Sequence, residues 1–122
     1  MSNSLPSTGG DDFKTLDGGV KYVDLKVGEG DECKPGAFVV MHYVGWRVDG
    51  HEFDCSVRKG EPLKMSLNQL IKGWQVGVPG MKPGGIRRLV IPSAYAYGSK
   101  GQGASIPPDS DLVFEVKLLS SK

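Results

Sequence analysis

The feature of this sequence that most constrains its fold is a single helix start in a chain that otherwise alternates like β-strand. Asn68 is typical of a helix N-cap, because its side-chain oxygen can accept a hydrogen bond from an amide of the first turn. An apolar face is predicted by the residues that follow at helical spacing, which are Leu70, Ile71, Trp74 and Val78. Such a face must be buried, and a sheet is the only large partner available. Trp74 therefore either packs in a core or forms the floor of a pocket.

Length and composition favour one small domain that is rich in turns. The chain has 122 residues, enough to bury a core without metal or disulfide cross-links. Its 18 glycines and 8 prolines suit many turns between short strands rather than a helical bundle. We expect residues 1–18 to form a flexible polar leader and residues 19–122 to form the domain.

Charge and cysteine content argue against several classes of function. A net charge of +1 gives no electrostatic reason to expect binding to nucleic acid or to an anionic membrane. No apolar run approaches the roughly 18 residues of a membrane-spanning helix, and we see no secretory signal. Cys33 and Cys55 do not make a disulfide framework and are expected to be free thiols, so we expect a cytoplasmic protein.

Alternating apolar residues predict the strands. The strongest patterns cover residues 37–47 and 111–119, and shorter ones lie along the rest of the chain. We predict an α+β fold, in which a twisted, mostly antiparallel sheet of about five strands wraps around one short helix. Leu25 is expected in the core, whereas Arg87 and Arg88 are expected to be solvated or at a sheet edge.

Motifs for covalent, metal or cofactor chemistry are absent from the sequence. His42 and His51 cannot by themselves make a zinc site, and Cys33 and Cys55 are too far apart for a zinc knuckle. There is no nucleophile elbow and no phosphate-binding or dinucleotide-binding glycine motif. A Cys55–His51 pair would lack a third group to orient it. We therefore expect no metal and no cofactor.

Aromatic residues and one acid are what remain. Five aromatic residues on different predicted elements can face one concavity between sheet and helix, and they are Tyr43, Phe53, Trp74, Tyr97 and Phe114. A pocket with aromatic walls and a few polar tips binds an apolar ring well. Taken alone, Asp54 is equally a turn residue, and Tyr97 or Phe114 equally a core residue.

Ordered runs of the sequence resemble the FKBP-type peptidyl-prolyl cis-trans isomerases. The matching runs are VVMHYVG at 39–45, FDCS at 53–56, LIKGW at 70–74, GMKPGG at 80–85, AYAYG at 94–98, IPP at 106–108 and LVFEV at 112–116. Each run alone is weak evidence, whereas the ordered set over residues 19–119 is specific. The resemblance implies a twisted antiparallel sheet curled around one short helix, and an enzyme that accelerates rotation about X–Pro bonds.

The resemblance also implies roles for ten residues. As catalytic residues it implies Asp54, Tyr97, Trp74 and Phe53, with Trp74 beneath the proline ring and Asp54 near the twisting amide. As substrate-binding residues it implies Tyr43, Leu63, Leu70, Ile71, Ile106 and Phe114. Its implied partners are proline-containing peptides and protein clients, with FK506- or rapamycin-like macrolides as ligands of a monomeric chain.

The sequence departs from the family pattern at several positions. Leu63 stands where an aromatic wall is common, and Cys55 replaces a usual small hydroxyl residue. Gln102 and Ser105 occupy positions often held by histidine or an apolar residue. These changes leave open an alternative, a chaperone or docking module that binds proline segments or macrolides without catalysing isomerisation.

Overall fold

One antiparallel sheet carries two short helices in the computed structural model, which describes residues 13–103 and 105–122. Its strands are β1 (Lys14–Thr15), β2 (Lys21–Lys26), β3 (Phe38–Arg47), β4 (Glu52–Cys55), β5 (Leu63–Ser66), β6 (Ile86–Ile91) and β7 (Leu112–Ser121), and its helices are α1 (Ser56–Lys59) and α2 (Lys72–Gly77). The strand order is β1-β2-β6-β7-β3-β4, and β5 also pairs with β3. The predicted fold class is confirmed, although these residues form seven strands and two helices rather than about five and one.

Strand β3 is the centre of the sheet. It pairs with β7 along one edge, and with β5 and then β4 along the other. Gly45 consequently lies opposite Asp54 on β4 and Phe114 on β7. The alternation predicted for β3 and β7 is observed, because Val39, Met41 and Tyr43 face the core that also buries Leu112, Phe114, Val116 and Leu118 of β7. This register brings two candidate site residues from distant parts of the sequence together.

Helix α2 lies against β6 through two glycines spaced four residues apart. A Cβ atom at Gly73 would lie 2.4 Å from Ile91 Cγ2, and one at Gly77 would lie 2.6 Å from Leu89 Cδ2. Neither distance is compatible with a side chain, so the absence of a side chain at both positions allows the helix to approach the sheet. The same placement buries Trp74, which lies between the glycines in sequence.

The predicted N-cap at Asn68 is wrong. Residues Leu67–Gln69 form a separate 3-10 turn, in which the Ser66 hydroxyl accepts a hydrogen bond from the Asn68 amide. Helix α2 begins only at Lys72, and its first turn is closed by the Ile71 carbonyl, which accepts from Trp74 N at 3.0 Å. Asn68 does not cap helix α2, because its amide belongs to a separate 3-10 turn whose N-cap is Ser66.

The expectations for Leu25 and Arg87 are also wrong. Leu25 is 46% exposed on β2, whereas Arg87 is only 6% exposed. The Arg87 guanidinium donates to Asp24 at 2.6 Å and to the Gly77 carbonyl at 2.9 Å, and it stacks over the Tyr22 ring. Arg88 is likewise paired, through a 2.9 Å contact with Glu115. Arg87 and Arg88, which are consecutive on β6, thus each pair with an acidic residue that is distant in the sequence.

The predicted leader, residues 1–18, falls partly outside the described residues, which begin at residue 13. Within that segment, Lys14 and Thr15 pair with Tyr22 and Lys21, so the sheet begins before residue 19. In the part of the chain that the structure describes, no helix combines the length and hydropathy that crossing a membrane requires.

Candidate active site

A cavity of about 120 Å³ opens between α2 and the concave face of the sheet. Its described lining residues are Tyr43, Phe53, Asp54, Leu63, Leu70, Ile71, Trp74, Tyr97 and Phe114. The structure therefore brings together nine of the ten predicted site residues. A larger open hollow of about 740 Å³ lies elsewhere, between residues 30–37 and 121–122, but charged side chains and glycine dominate its described lining. An apolar ring fits the chemistry of the smaller cavity.

Aromatic rings in edge-to-face contact build the walls of this cavity. The Trp74 ring centroid lies 5.0 Å from that of Tyr43 and 4.9 Å from that of Phe114, and both pairs are T-shaped. Phe53 extends the wall, because its ring is perpendicular to Phe114 at 5.6 Å. Interlocked rings of this kind contribute about 0.5–1.5 kcal/mol per pair beyond the area that they bury. The cavity is therefore formed by packing before any ligand arrives.

Two hydrogen-bond donors at the cavity lack acceptors among the described residues. The Trp74 indole nitrogen, Nε1, is buried with no partner among the described residues. The Ile71 amide likewise donates to no acceptor in residues 13–103 and 105–122, because it precedes the first amide bonded within α2. A buried donor without a partner is costly and therefore uncommon in folded proteins. Both residues line the cavity.

Asp54 is the only carboxylate among the described lining residues, and three donors fix its position. The Tyr43 hydroxyl donates to Oδ2 at 2.5 Å, and the Lys59 ammonium lies 2.7 Å from Oδ1. The Cys55 amide also donates to Oδ1, at 2.9 Å. Charge-assisted bonds are shorter and stronger than neutral ones, so they hold the carboxylate rigidly at the cavity wall. The turn interpretation of Asp54 is incomplete, since its side chain points into the cavity lining.

The cavity raises the pKa of its two tyrosines. Burial and then the hydrogen bond to Asp54 raise the pKa of Tyr43 far above the usual value. Burial, together with the negative charge of Asp54, also raises the pKa of Tyr97. Both phenols consequently remain protonated donors at neutral pH. The Tyr97 hydroxyl makes no hydrogen bond within the described residues, so it is available to a ligand acceptor.

Sequence reasoning missed two contributors to the site. Lys59 ends helix α1 and pairs with Asp54 across four intervening residues. Gly45 lies beneath the aromatic wall, where a Cβ atom would come within 2.7 Å of Phe114 and 2.8 Å of Phe53. The role of Lys59 depends on helix α1, which returns its ammonium to Asp54, and the role of Gly45 depends on strand pairing. A glycine within the otherwise apolar strand β3 was the local signal that another part of the protein packs closely against Gly45.

Ile106 is the predicted site residue that does not line the cavity. It is 2% exposed within the main core cluster, and its backbone bridges to Gln102. The neighbouring Ser105 carbonyl accepts from Arg47 at 3.0 Å, which ties this loop to the end of β3. Ile106 thus supports the loop beside the cavity, while any contact with a substrate stays a prediction.

The curled antiparallel sheet and its aromatic cavity define a protein that binds a small apolar ring next to hydrogen-bonding groups. Comparison with known proteins identifies the family to which the chain belongs. The model of the family described as FKBP-type peptidyl-prolyl cis-trans isomerase matches residues 29–119. The chain therefore belongs to the FKBP-type peptidyl-prolyl cis-trans isomerases, and the enzymatic activity of its class is isomerisation of prolyl bonds.

Individual relatives and solved structures agree with this assignment. The chain is 46% identical over 104 residues to an FK506-binding protein of Neisseria meningitidis serogroup B, a match that covers 84% of this chain and 95% of that protein. It is 43% identical over 111 residues to a peptidyl-prolyl cis-trans isomerase of Saccharomyces cerevisiae, covering 89% of this chain and 26% of that one. The crystal structure of FkpA from Escherichia coli matches with a TM-score of 0.86 and 42% identity, covering 93% of this chain and 53% of that chain. A peptidyl-prolyl cis-trans isomerase from Pseudomonas syringae matches with a TM-score of 0.85 and 35% identity, covering 93% and 83%.

Proposed function

We propose that this chain isomerises X–Pro bonds in the aromatic cavity, with the proline ring seated on Trp74. The observation that carries the proposal is the set of perpendicular rings around Trp74, open on one side and bordered by Asp54. A pyrrolidine ring is small, apolar and rigid, and it suits a cavity of about 120 Å³.

The chemistry to be accelerated needs no covalent intermediate. Rotation about an X–Pro bond crosses a barrier of roughly 18–20 kcal/mol, because amide resonance is lost in the twisted state. That twisted state has a less dipolar carbonyl than the planar amide, so water favours the planar form. A cavity with apolar walls removes this preference and lowers the barrier for twisting. A reduction of about 5–7 kcal/mol corresponds to an acceleration of about 10⁴ to 10⁵.

Hydrogen bonds hold the substrate while it twists. In this proposal the Ile71 amide and the Tyr97 hydroxyl, both without acceptors in the described structure, bind carbonyl oxygens that flank the proline. The Asp54 carboxylate, fixed by Tyr43 and Lys59, faces the rotating carbonyl carbon and its amide nitrogen. Interactions that are stronger in the twisted state than in the planar state accelerate the reaction. Phe53 and Phe114 exclude water from the same space.

The preferred ligands, the compartment and the assembly state are part of the proposal. FK506-like and rapamycin-like macrolides are proposed to occupy the same cavity, as members of the family bind such ligands generally. A cytoplasmic location is supported by Cys33 and Cys55, which are both free and buried. Action as a monomer is proposed because the lining residues of a single chain already form the cavity.

The test is the exchange rate of a Leu-Pro peptide measured by NMR. We expect the wild-type protein to accelerate cis–trans exchange well above the buffer rate, and Trp74→Leu to lower kcat/KM at least about tenfold, or about 1.4 kcal/mol. Trp46→Phe is the control, because Trp46 is buried in a separate small cluster with Val44, Cys55 and Val113. Macrolide binding without acceleration by the wild-type protein would instead favour the non-catalytic docking module.

A further inference from the structure

A second hollow joins the proline cavity along one wall. Its volume is about 160 Å³, and its described lining residues are Tyr43, Ser56, Lys59, Glu61, Pro62 and Leu63. Tyr43 and Leu63 line both spaces, so the two are contiguous. A peptide whose proline occupies the first cavity therefore has room for an adjacent side chain in the second.

Backbone conformation restricts the segment that borders this second hollow. Helix α1 ends at Lys59 and is capped by Gly60, whose positive φ of 86° suits glycine, and Pro62 restricts the chain before β5 begins. The Ser56 hydroxyl is buried and fully engaged, since it accepts from the Tyr43 amide at 2.7 Å and lies 2.9 Å from His42 Nδ1. Ser56 is thus a fixed wall rather than a group available to a ligand.

One carboxylate at the hollow has no cationic partner among the described residues. Lys59 is 60% exposed, but its ammonium is held by Asp54 at 2.7 Å, so these two charges neutralise one another. Glu61 is exposed and makes no ion pair or side-chain hydrogen bond within the described residues. Lys64 follows Leu63 on β5, and strand alternation turns its side chain to the opposite face of the sheet. Among the described residues that line the hollow, the charge left without a partner is therefore the carboxylate of Glu61.

We propose that this hollow is a subsite for the side chain next to the substrate proline, and that Glu61 makes it selective for a basic side chain. The proposal rests on the proposed prolyl isomerase function of the adjoining cavity. Tyr43 and Leu63 supply apolar surface for the methylene stem of lysine or arginine, while Glu61 meets the cation at the rim. A glutamate at the same substrate position meets like charge and is disfavoured.

The experiment compares NMR exchange rates for two peptide series. Each series carries Lys, Met or Glu, either directly before the proline or directly after it. In low salt we expect kcat/KM to be about three- to fivefold higher for Lys than for Glu in one of the two series, as befits an exposed charge. Adding salt weakens this preference, because ions screen exposed charges within about 10 Å at 0.1 M.

Three variants decide the inference. Glu61→Gln keeps the shape and is expected to abolish the preference, and Glu61→Lys is expected to reverse it. Glu29→Gln is the matched control, since it removes the same charge from an exposed position outside both cavities and should leave the preference unchanged. Equal rates for Lys and Glu peptides in both series, or a preference that Glu61→Gln retains, would overturn the subsite. Turnover of the neutral Met peptides tests the isomerase function separately, because it does not depend on Glu61.

Discussion

Gly45 lies directly beneath Phe114, so close that a single methyl group at Gly45 would come within 2.7 Å of the Phe114 ring. The same methyl group would also meet Phe53 at 2.8 Å. Two rings of the cavity wall therefore rest on one glycine in the middle of β3. Its role is steric, because its φ lies outside the left-handed region where glycine alone is comfortable.

Replacing Gly45 with alanine is expected to displace the aromatic wall. Overpacking of this kind costs about 1–3 kcal/mol in the free energy of unfolding, and displaced rings should lower kcat/KM as well. Denaturant unfolding and NMR exchange measure the two effects. A Gly45→Ala protein with unchanged stability and unchanged activity would show that the wall does not depend on this contact.

The hydrogen bond between Tyr43 and Asp54 should appear as a coupling energy. In a double-mutant cycle of Tyr43→Phe and Asp54→Asn, we expect a coupling of about 1–3 kcal/mol in the free energy of unfolding, since the bond is short and charge-assisted. A cycle of Lys59→Met with Asp54→Asn should give less than about 1 kcal/mol, because Lys59 is largely exposed. Additive effects for Tyr43 and Asp54 would contradict the geometry described.

Stability should fall at alkaline pH because of the buried tyrosines. The unfolded phenols release their protons near pH 10, whereas burial and Asp54 raise the pKa of Tyr43 and Tyr97 in the folded protein. Their contribution is complete below pH 10 and is lost as the pH rises above it. Each tyrosine that stays protonated adds a slope of about 1.4 kcal/mol per pH unit.

Urea unfolding between pH 9 and pH 11 measures this effect. Tyr97→Phe removes one such phenol and should make the decline of stability with pH shallower than in the wild-type protein. Tyr43→Phe should act in the same direction. An identical decline in the wild-type protein and both variants would mean that these phenols titrate normally in the folded state.

The buried Arg87 is expected to be a large source of stability. Arg87→Leu would leave Asp24 and the Gly77 and Pro79 carbonyls without their donor, at a cost of about 2–4 kcal/mol in the free energy of unfolding. Lys21→Met is the control, because it removes an exposed cation from the neighbouring strand β2 and should cost less than about 0.5 kcal/mol. Equal effects of the two substitutions would show that the Arg87 contacts add little.

Local patterns in the sequence predict which faces of the strands are buried, but not which strands pair. The alternation over residues 37–47 and 111–119 was enough to predict strands with a buried face, which contains Met41, Phe114 and Leu118, and composition was enough to favour a sheet. The glycine under Phe114 and the burial of Arg87 depend on register between distant segments. No periodicity within one strand contains that information.

The candidate site was predictable through the family resemblance more than through single residues. Asp54 and Tyr97 each fit a turn or core role on local evidence, and only the ordered set of runs assigned them to a pocket. The helix start predicted at Asn68 was wrong, because a capped 3-10 turn and the first turn of a helix both begin with the same kinds of polar residue. Ile106 was assigned to the cavity although its side chain packs into the core below the loop.

The most direct test of the account is to locate a bound proline relative to Trp74. With a labelled Leu-Pro peptide, intermolecular NOEs are measured between the proline ring protons and the aromatic side chains of the protein. We predict NOEs from the ring protons to the Trp74 indole and to Phe114, in a protein that also catalyses exchange. Catalysed exchange with proline NOEs only to residues outside the cavity, and none to Trp74, would contradict the account.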